Sequence, residues 1–262
     1  MESILDLKGR VALVTGAGQG VGRQVALHLA AHNAGGVIVN DFHAERAEAV
    51  AEEVRAMRIK ALPVSTDVTD FNAVAAMVAD AEREFGRIDI LINNAGNAGP
   101  TTALGNERQF WETGPQEWAN WLGTNLYGVL NCTHAVLPGM MARREGRLVT
   151  VVSDAGRVGE PHLAVYSAAK AGAGGFMRAI AKAVGRANIT ANSVALAATN
   201  TPGIAGLVRD DETLKKVLRG FIIRRMGEPS DAANLILFLA SDAASWITGQ
   251  TYPVNGGYSV SV

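Results

Sequence analysis

Apolar positions along the chain fall into two recurring patterns. Short, nearly continuous apolar runs with β-branched residues, such as Arg10-Val-Ala-Leu-Val-Thr15 and Val37-Ile-Val-Asn-Asp41, read as strands buried on both faces of a parallel sheet. Between them apolar residues recur three and four apart, as at Val21, Val25, Ala26 and Leu29, the spacing of a helix with one buried stripe. The pattern predicts strands at 10–15, 37–41, 61–66, 88–92, 147–152, 189–195 and 250–254, and helices at 21–32, 45–57, 71–85, 116–141 and 164–184. Strands alternating with helices of this length pair in parallel through right-handed crossovers. The expected fold is α/β, a doubly wound parallel sheet of seven strands with helices on both faces.

Two stretches depart from the alternation. Residues 97–115 are rich in Gly, Thr, Asn and Pro, carry Phe110 and Trp111, and show no periodicity; a loop of that length in a compact domain is usually functional or disordered. Residues 202–221 form a polar, partly helical excursion whose charges read as a solvated face.

Composition narrows the function classes. A chain of 262 residues without internal repeat or low-complexity linker is most economically one domain, residues 1–262. Hydrophobic residues make up 48% and charged residues 19%, so part of the apolar surface is expected in a subunit interface. A net charge of −1 supplies no basic footprint for nucleic acid or for a membrane surface. The single cysteine, Cys132, can form no internal disulfide, and Cys–His metal spacing is absent. No secretory signal opens the sequence and no apolar run reaches the roughly eighteen residues of a membrane span, so a soluble, cytoplasmic protein is expected.

Candidate chemistry sits where strands end. The first strand runs into Gly16-Ala-Gly-Gln-Gly-Val-Gly22 and then a helix. Missing Cβ atoms let such a turn approach a pyrophosphate, whose charge is favoured at a helix N-terminus. Asp41, at the end of the second strand and nineteen residues past Gly22, stands where a carboxylate grips the adenosine ribose hydroxyls. It would repel a 2′-phosphate, and Gln19 and Phe42 supply no cation to bind one, so NAD is expected over NADP. The competing reading is that Asp41 caps the following helix. Asp67-Val68 and Asn93-Asn-Ala-Gly96 also follow strand ends, at the edge where such sheets bind ligands.

Ser153 closes the fifth strand, and Tyr166 and Lys170 lie four apart on the next helix, which puts both side chains on one face. The spacing fits a pair holding a proton for transfer, but taken alone it more commonly marks a half-buried ring beside a solvated amine. Ser153 could be a turn cap and Asn125 a buried amide satisfying backbone.

Taken together, Thr15-Gly16-x-x-x-Gly20-x-Gly22, Asn93-Asn-Ala-Gly96, Asn125, Ser153, Tyr166-x-x-x-Lys170 and the closing Gly249-Gln250 through Val254-Asn-Gly-Gly257 resemble the short-chain dehydrogenase/reductase family, in family order over nearly the whole chain. The resemblance implies a Rossmann-like single domain and an oxidoreductase passing hydride between NAD(H) and a secondary alcohol or ketone, with a cyclic or apolar alcohol or a hydroxyacyl thioester among the candidate substrates. It implies that Tyr166 is the general acid or base, that Lys170 lowers its pKa and holds the nicotinamide ribose, that Ser153 binds the substrate oxygen, and that Asn125 anchors a proton-relaying water. By the same resemblance Gly16, Gln19, Gly20 and Val21 line the phosphate turn, and Asp41 takes the ribose with Phe42 beside it. Asp67 and Val68 flank the adenine, Asn94, Ala95 and Gly96 lie beside the nicotinamide half, and Thr199 and Thr201 lie near the carboxamide. No metal is implied, and a homotetramer is. The alternative is a non-catalytic, cofactor-binding subunit of a hetero-oligomer, suggested by one departure: Leu196-Ala197 stands where most relatives have Pro-Gly. A second departure is the segment between Gly96 and Trp118, longer than is usual, which should lie near the substrate mouth.

Overall fold

The computed structural model describes residues 3–97, 109–205 and 211–260. Seven strands, β1 (Val11–Val14), β2 (Gly36–Asp41), β3 (Ala61–Ser65), β4 (Ile90–Asn93), β5 (Gly146–Ser153), β6 (Ile189–Leu196) and β7 (Thr251–Val254), form one sheet in the order β3-β2-β1-β4-β5-β6-β7. Every pairing is parallel. The chain leaves β1 in one direction to build β2 and β3, then returns to place β4 on the other side. The crevice between the C-terminal ends of β1 and β4 is therefore the switch point at which such sheets bind ligands.

Helices cover both faces. On one, α1 (Gly20–Ala31), α2 (Ala44–Ala56) and α10 (Pro229–Ala240) pack Val25, Leu29, Val50 and Ile236 against Ala12, Val14 and Ile92. On the other, α3 (Phe71–Phe85), α5 (Gly128–Arg143) and α7 (Ala164–Val184) pack Met77, Val136 and Met177 against Leu13, Leu91 and Leu148. Successive strand residues alternate between the two cores, as the pleat requires. Short helices α4 (Pro115–Leu122), α6 (Ala155–Val158), α8 (Pro202–Ala205) and α9 (Asp211–Leu218) complete the set.

The sequence pattern missed two features. Helix α10 has no polar stripe along Ala-Ala-Asn-Leu-Ile-Leu-Phe-Leu-Ala, and a short apolar run of that kind gives no period to read. The predicted helix 116–141 is two helices, α4 and α5, joined by a π-helical turn at Gly123–Tyr127. The widened turn contains Asn125, and π turns inside helices cluster at functional sites. Most of the long 97–115 segment lies outside the described residues. Of its aromatics, Phe110 stacks on Trp118 with centroids 5.3 Å apart, and Trp111 is 78% exposed.

Candidate active site

The nucleotide half of the crevice is built by backbone. Gly16 and Gly20 adopt φ of +60° and +56°, the left-handed region glycine tolerates. A Cβ on Gly22 would lie 2.2 Å from the Gly16 carbonyl oxygen, so α1 enters as close to the turn as a backbone can. No side chain caps α1, which leaves its first-turn amides for an anion. Asn94 braces the turn: its Nδ2 donates to the carbonyls of Thr15 and Gly16, both at 2.9 Å. Thr15 Oγ1 in turn accepts from the backbone amides of Asn94 and Ala95.

Asp41 is only 7% exposed yet lines the crevice. One carboxylate oxygen accepts from the Gly18 amide at 2.9 Å and the other from the His43 amide at 3.0 Å. It does not cap the first turn of α2. Asp41 fixes the glycine turn, which is why position 18 has no room: a Cβ there would sit 2.7 Å from the Asp41 carboxylate. Beside the glycine turn, Asn131 of α5 donates to the Val68 carbonyl at 2.9 Å, and Asp67 accepts from the Thr69 amide.

At the other end β5 delivers Ser153 opposite Leu196 of β6. Ser153 Oγ donates to the Leu196 carbonyl at 3.4 Å, accepts from the Ala155 amide at 3.2 Å, and lies close enough to the Tyr166 phenol to favour its ionised form. Lys170 is 4% exposed; its Nζ donates to the Val151 carbonyl at 3.0 Å and lies 5.8 Å from the centre of the Tyr166 ring. Burial drives the lysine pKa down to about 8. It pushes the Tyr166 pKa up, against a smaller lowering from the Ser153 hydrogen bond. The Trp121 ring meets Tyr166 edge-on at 5.7 Å.

Asn125 is fully buried and does not itself line the crevice. Its Nδ2 donates to the carbonyls of Asn97 at 2.9 Å and Trp121 at 3.0 Å, the second being a bond across the π turn. Gly96 lies between it and the lysine, since a Cβ there would be 3.0 Å from Asn125 Oδ1 and 3.1 Å from Lys170 Nζ. Asn97, which the sequence reading did not single out, is the partner that orients Asn125.

A single cleft of about 740 Å³ joins the two halves. Gly16, Gln19, Gly20, Val21, Asp41 and Phe42 line one end, with Asp67 and Val68 beside them, and Ser153, Tyr166, Lys170, Thr199 and Thr201 line the other; Asn94, Ala95 and Gly96 connect them. Leu196 and Ala197 also line it. Ala197 does not need the left-handed region, so losing glycine there leaves no strain, and Thr199 Oγ1 closes the turn by donating to the Ala197 carbonyl at 3.0 Å. The free helix terminus, Cβ-less turn and strand-end carboxylate are the parts a dinucleotide requires, in the order it requires them.

The family model described as enoyl-(acyl carrier protein) reductase matches residues 16–259. The chain belongs to the short-chain dehydrogenase/reductase family. It is an oxidoreductase of that family. The 3-oxoacyl-[acyl-carrier-protein] reductase FabG of Staphylococcus aureus is 37% identical over 252 residues, covering 94% of this chain and 96% of the relative. The (2S)-[(R)-hydroxy(phenyl)methyl]succinyl-CoA dehydrogenase subunit BbsD of Thauera aromatica is 38% identical over 256 residues, covering 98% and 99%. Among solved structures, a 7α-hydroxysteroid dehydrogenase complexed with NADH and 7-oxo glycochenodeoxycholic acid superposes with a TM-score of 0.89 at 32% identity, over 97% of this chain and 95% of the other. As a member of this family the chain has its glycine turn and its Ser-Tyr-Lys set on one cleft, and no helix among the described residues is long and apolar enough to cross a membrane.

Proposed function

We propose that the protein is an NAD-dependent dehydrogenase that interconverts a hydroxyacyl thioester and its oxoacyl form. The observation that carries the reading is the convergence of Ser153, Tyr166 and Lys170 on a cleft whose far end is closed by a buried aspartate. When bound there, the nicotinamide supplies or accepts the hydride. Tyr166 moves the proton, giving it to the ketone oxygen in reduction and taking it from the hydroxyl in oxidation. Ser153 holds that oxygen in line, and the Lys170 ammonium lowers the cost of the phenolate. In this reading Asn125 anchors the water through which Lys170 exchanges protons; only the Cβ-less Gly96 separates its Oδ1 from the lysine Nζ.

NAD is favoured over NADP because Asp41 presents a carboxylate where a 2′-phosphate would have to sit, and the solved hydroxysteroid dehydrogenase carries NADH. The thioester is favoured because the named substrates of the two curated relatives are an acyl-carrier-protein thioester and a coenzyme A thioester. The test is NADH absorbance across a panel of 3-hydroxyacyl thioesters and simple secondary alcohols, with NAD and NADP in parallel. Turnover of thioesters with NAD is expected, and NADP outperforming NAD would overturn the cofactor assignment. We also assign a homotetramer and a cytoplasmic location, which light scattering and cell fractionation test directly.

A further inference from the structure

The loop between Ser153 and Tyr166 is held from outside by the end of the chain. Asp154, next to Ser153 in sequence, is 1% exposed. Its Oδ1 accepts from Arg157 Nη1 at 2.6 Å, and its Oδ2 accepts from Asn255 Nδ2 at 2.6 Å and from Ser259 Oγ at 2.9 Å. Ser259 Oγ also accepts from Arg157, and Asn255 Nδ2 reaches back to the Ser259 carbonyl, so the tail is folded into a loop around the carboxylate. The Asp154 amide donates to the Leu196 carbonyl at 2.9 Å, the oxygen that also takes the Ser153 hydroxyl. Across the same loop the Tyr258 hydroxyl is hydrogen-bonded to Glu160, whose amide donates to Ser167 beside Tyr166. The opposite side is fixed by contact, because a Cβ on Gly156 would lie 2.8 Å from the Lys170 carbonyl carbon and 2.9 Å from its Cβ.

We infer that Asp154 is a positioning residue for the reaction, through which Asn255 and Ser259 hold the Ser153 hydroxyl against Tyr166. A buried carboxylate is a demanding anchor: its charge is tolerated only while its hydrogen bonds are made, so the tail and the catalytic loop are ordered together. The tail also packs on the segment that follows α9, since Tyr258 lies on Phe221 with centroids 5.2 Å apart and the Ile223 amide donates to the Gly256 carbonyl. The inference rests on the role given to Tyr166 above.

The test uses the full chain with Asn255→Ala and Ser259→Ala combined, which leaves the Asp154 charge in place, and Asp154→Ala as a second variant. Ser153→Ala provides the reference. The first readout is ultraviolet difference titration of the Tyr166 phenol in the NAD complex, taken against Tyr166→Phe; it needs no turnover and so stays informative if the thioester assignment fails. In the double variant the phenol is expected to titrate at higher pH, towards its value in Ser153→Ala. The second readout is kinetic: kcat falls about 10- to 100-fold for a reacting group displaced by up to about 1 Å, while KM and the NADH dissociation constant stay within about twofold. An unmoved phenol titration with kcat unchanged in a folded double variant overturns the inference. So does a loss of NADH binding and thermal stability in proportion to kcat, which marks a general structural role. If Asp154→Ala fails to fold, the double variant decides.

Discussion

Lys170 is a basic side chain buried at the cleft wall, only 4% exposed, and replacing it with methionine should make the unliganded protein more stable while abolishing its activity. Burial lowers its pKa from 10.5 to about 8, which corresponds to about 3 kcal/mol of disfavoured charge. A lysine whose folded pKa lies below its unfolded one binds fewer protons when folded, so stability rises with pH between the two values. The penalty is complete below about pH 8 and gone above about pH 10.5. Methionine keeps most of the volume but loses the hydrogen bond to the Val151 carbonyl, which is worth about 1 kcal/mol. The net expectation is a gain of about 2 kcal/mol at pH 7, or about 4–8 °C in melting temperature. By about pH 10 the gain should vanish or reverse, because only the hydrogen-bond loss remains. Thermal melts of both proteins without cofactor across this range provide the check. A Lys170→Met variant that is less stable at pH 7, or a difference flat with pH, would show that burial does not strain the lysine and that its charge is not held ready for the phenol.

Two further substitutions probe the cleft. Gly96→Ala puts a methyl group within 3.1 Å of both Asn125 Oδ1 and Lys170 Nζ; kcat should drop about 10- to 100-fold, and an unchanged rate would remove Asn125 from the proton path. Asp41→Ala should narrow the proposed preference for NAD and also weaken binding of both cofactors, because the Gly18 amide loses its acceptor. Fluorescence titration with NADH and NADPH separates the two effects, and tighter NADPH binding with NADH unaffected would show that Asp41 does nothing for the turn.

The sheet was legible because its central strands are apolar, β-branched runs buried on both faces and bounded by glycine or a polar residue. Ser153, Tyr166 and Lys170 were legible for a different reason: a strand end and a one-turn helix spacing place them locally, but their chemical role came only from the family resemblance carried by the motifs in order along the chain. What could not be read is what depends on distant partners. Asp154 meets Asn255 and Ser259 about a hundred residues away, and no periodicity encodes that meeting. The hold of Asp41 on the glycine turn was hidden likewise, since its bond to Gly18 exists only once β2 lies beside β1. The π turn at Gly123–Tyr127 was invisible because one extra residue in a helical turn leaves the apolar stripe almost in phase.

The most direct test of the central claim is single-turnover hydride transfer with a 3-oxoacyl thioester and NADH, comparing the parent enzyme with Tyr166→Phe. The phenylalanine ring preserves the contact with Trp121 and removes only the hydroxyl. The account predicts NADH binding unchanged within about twofold and a transfer rate lowered by about 10²- to 10⁴-fold, the usual contribution of a positioned proton donor. A Tyr166→Phe enzyme that transfers hydride at the parent rate would contradict it.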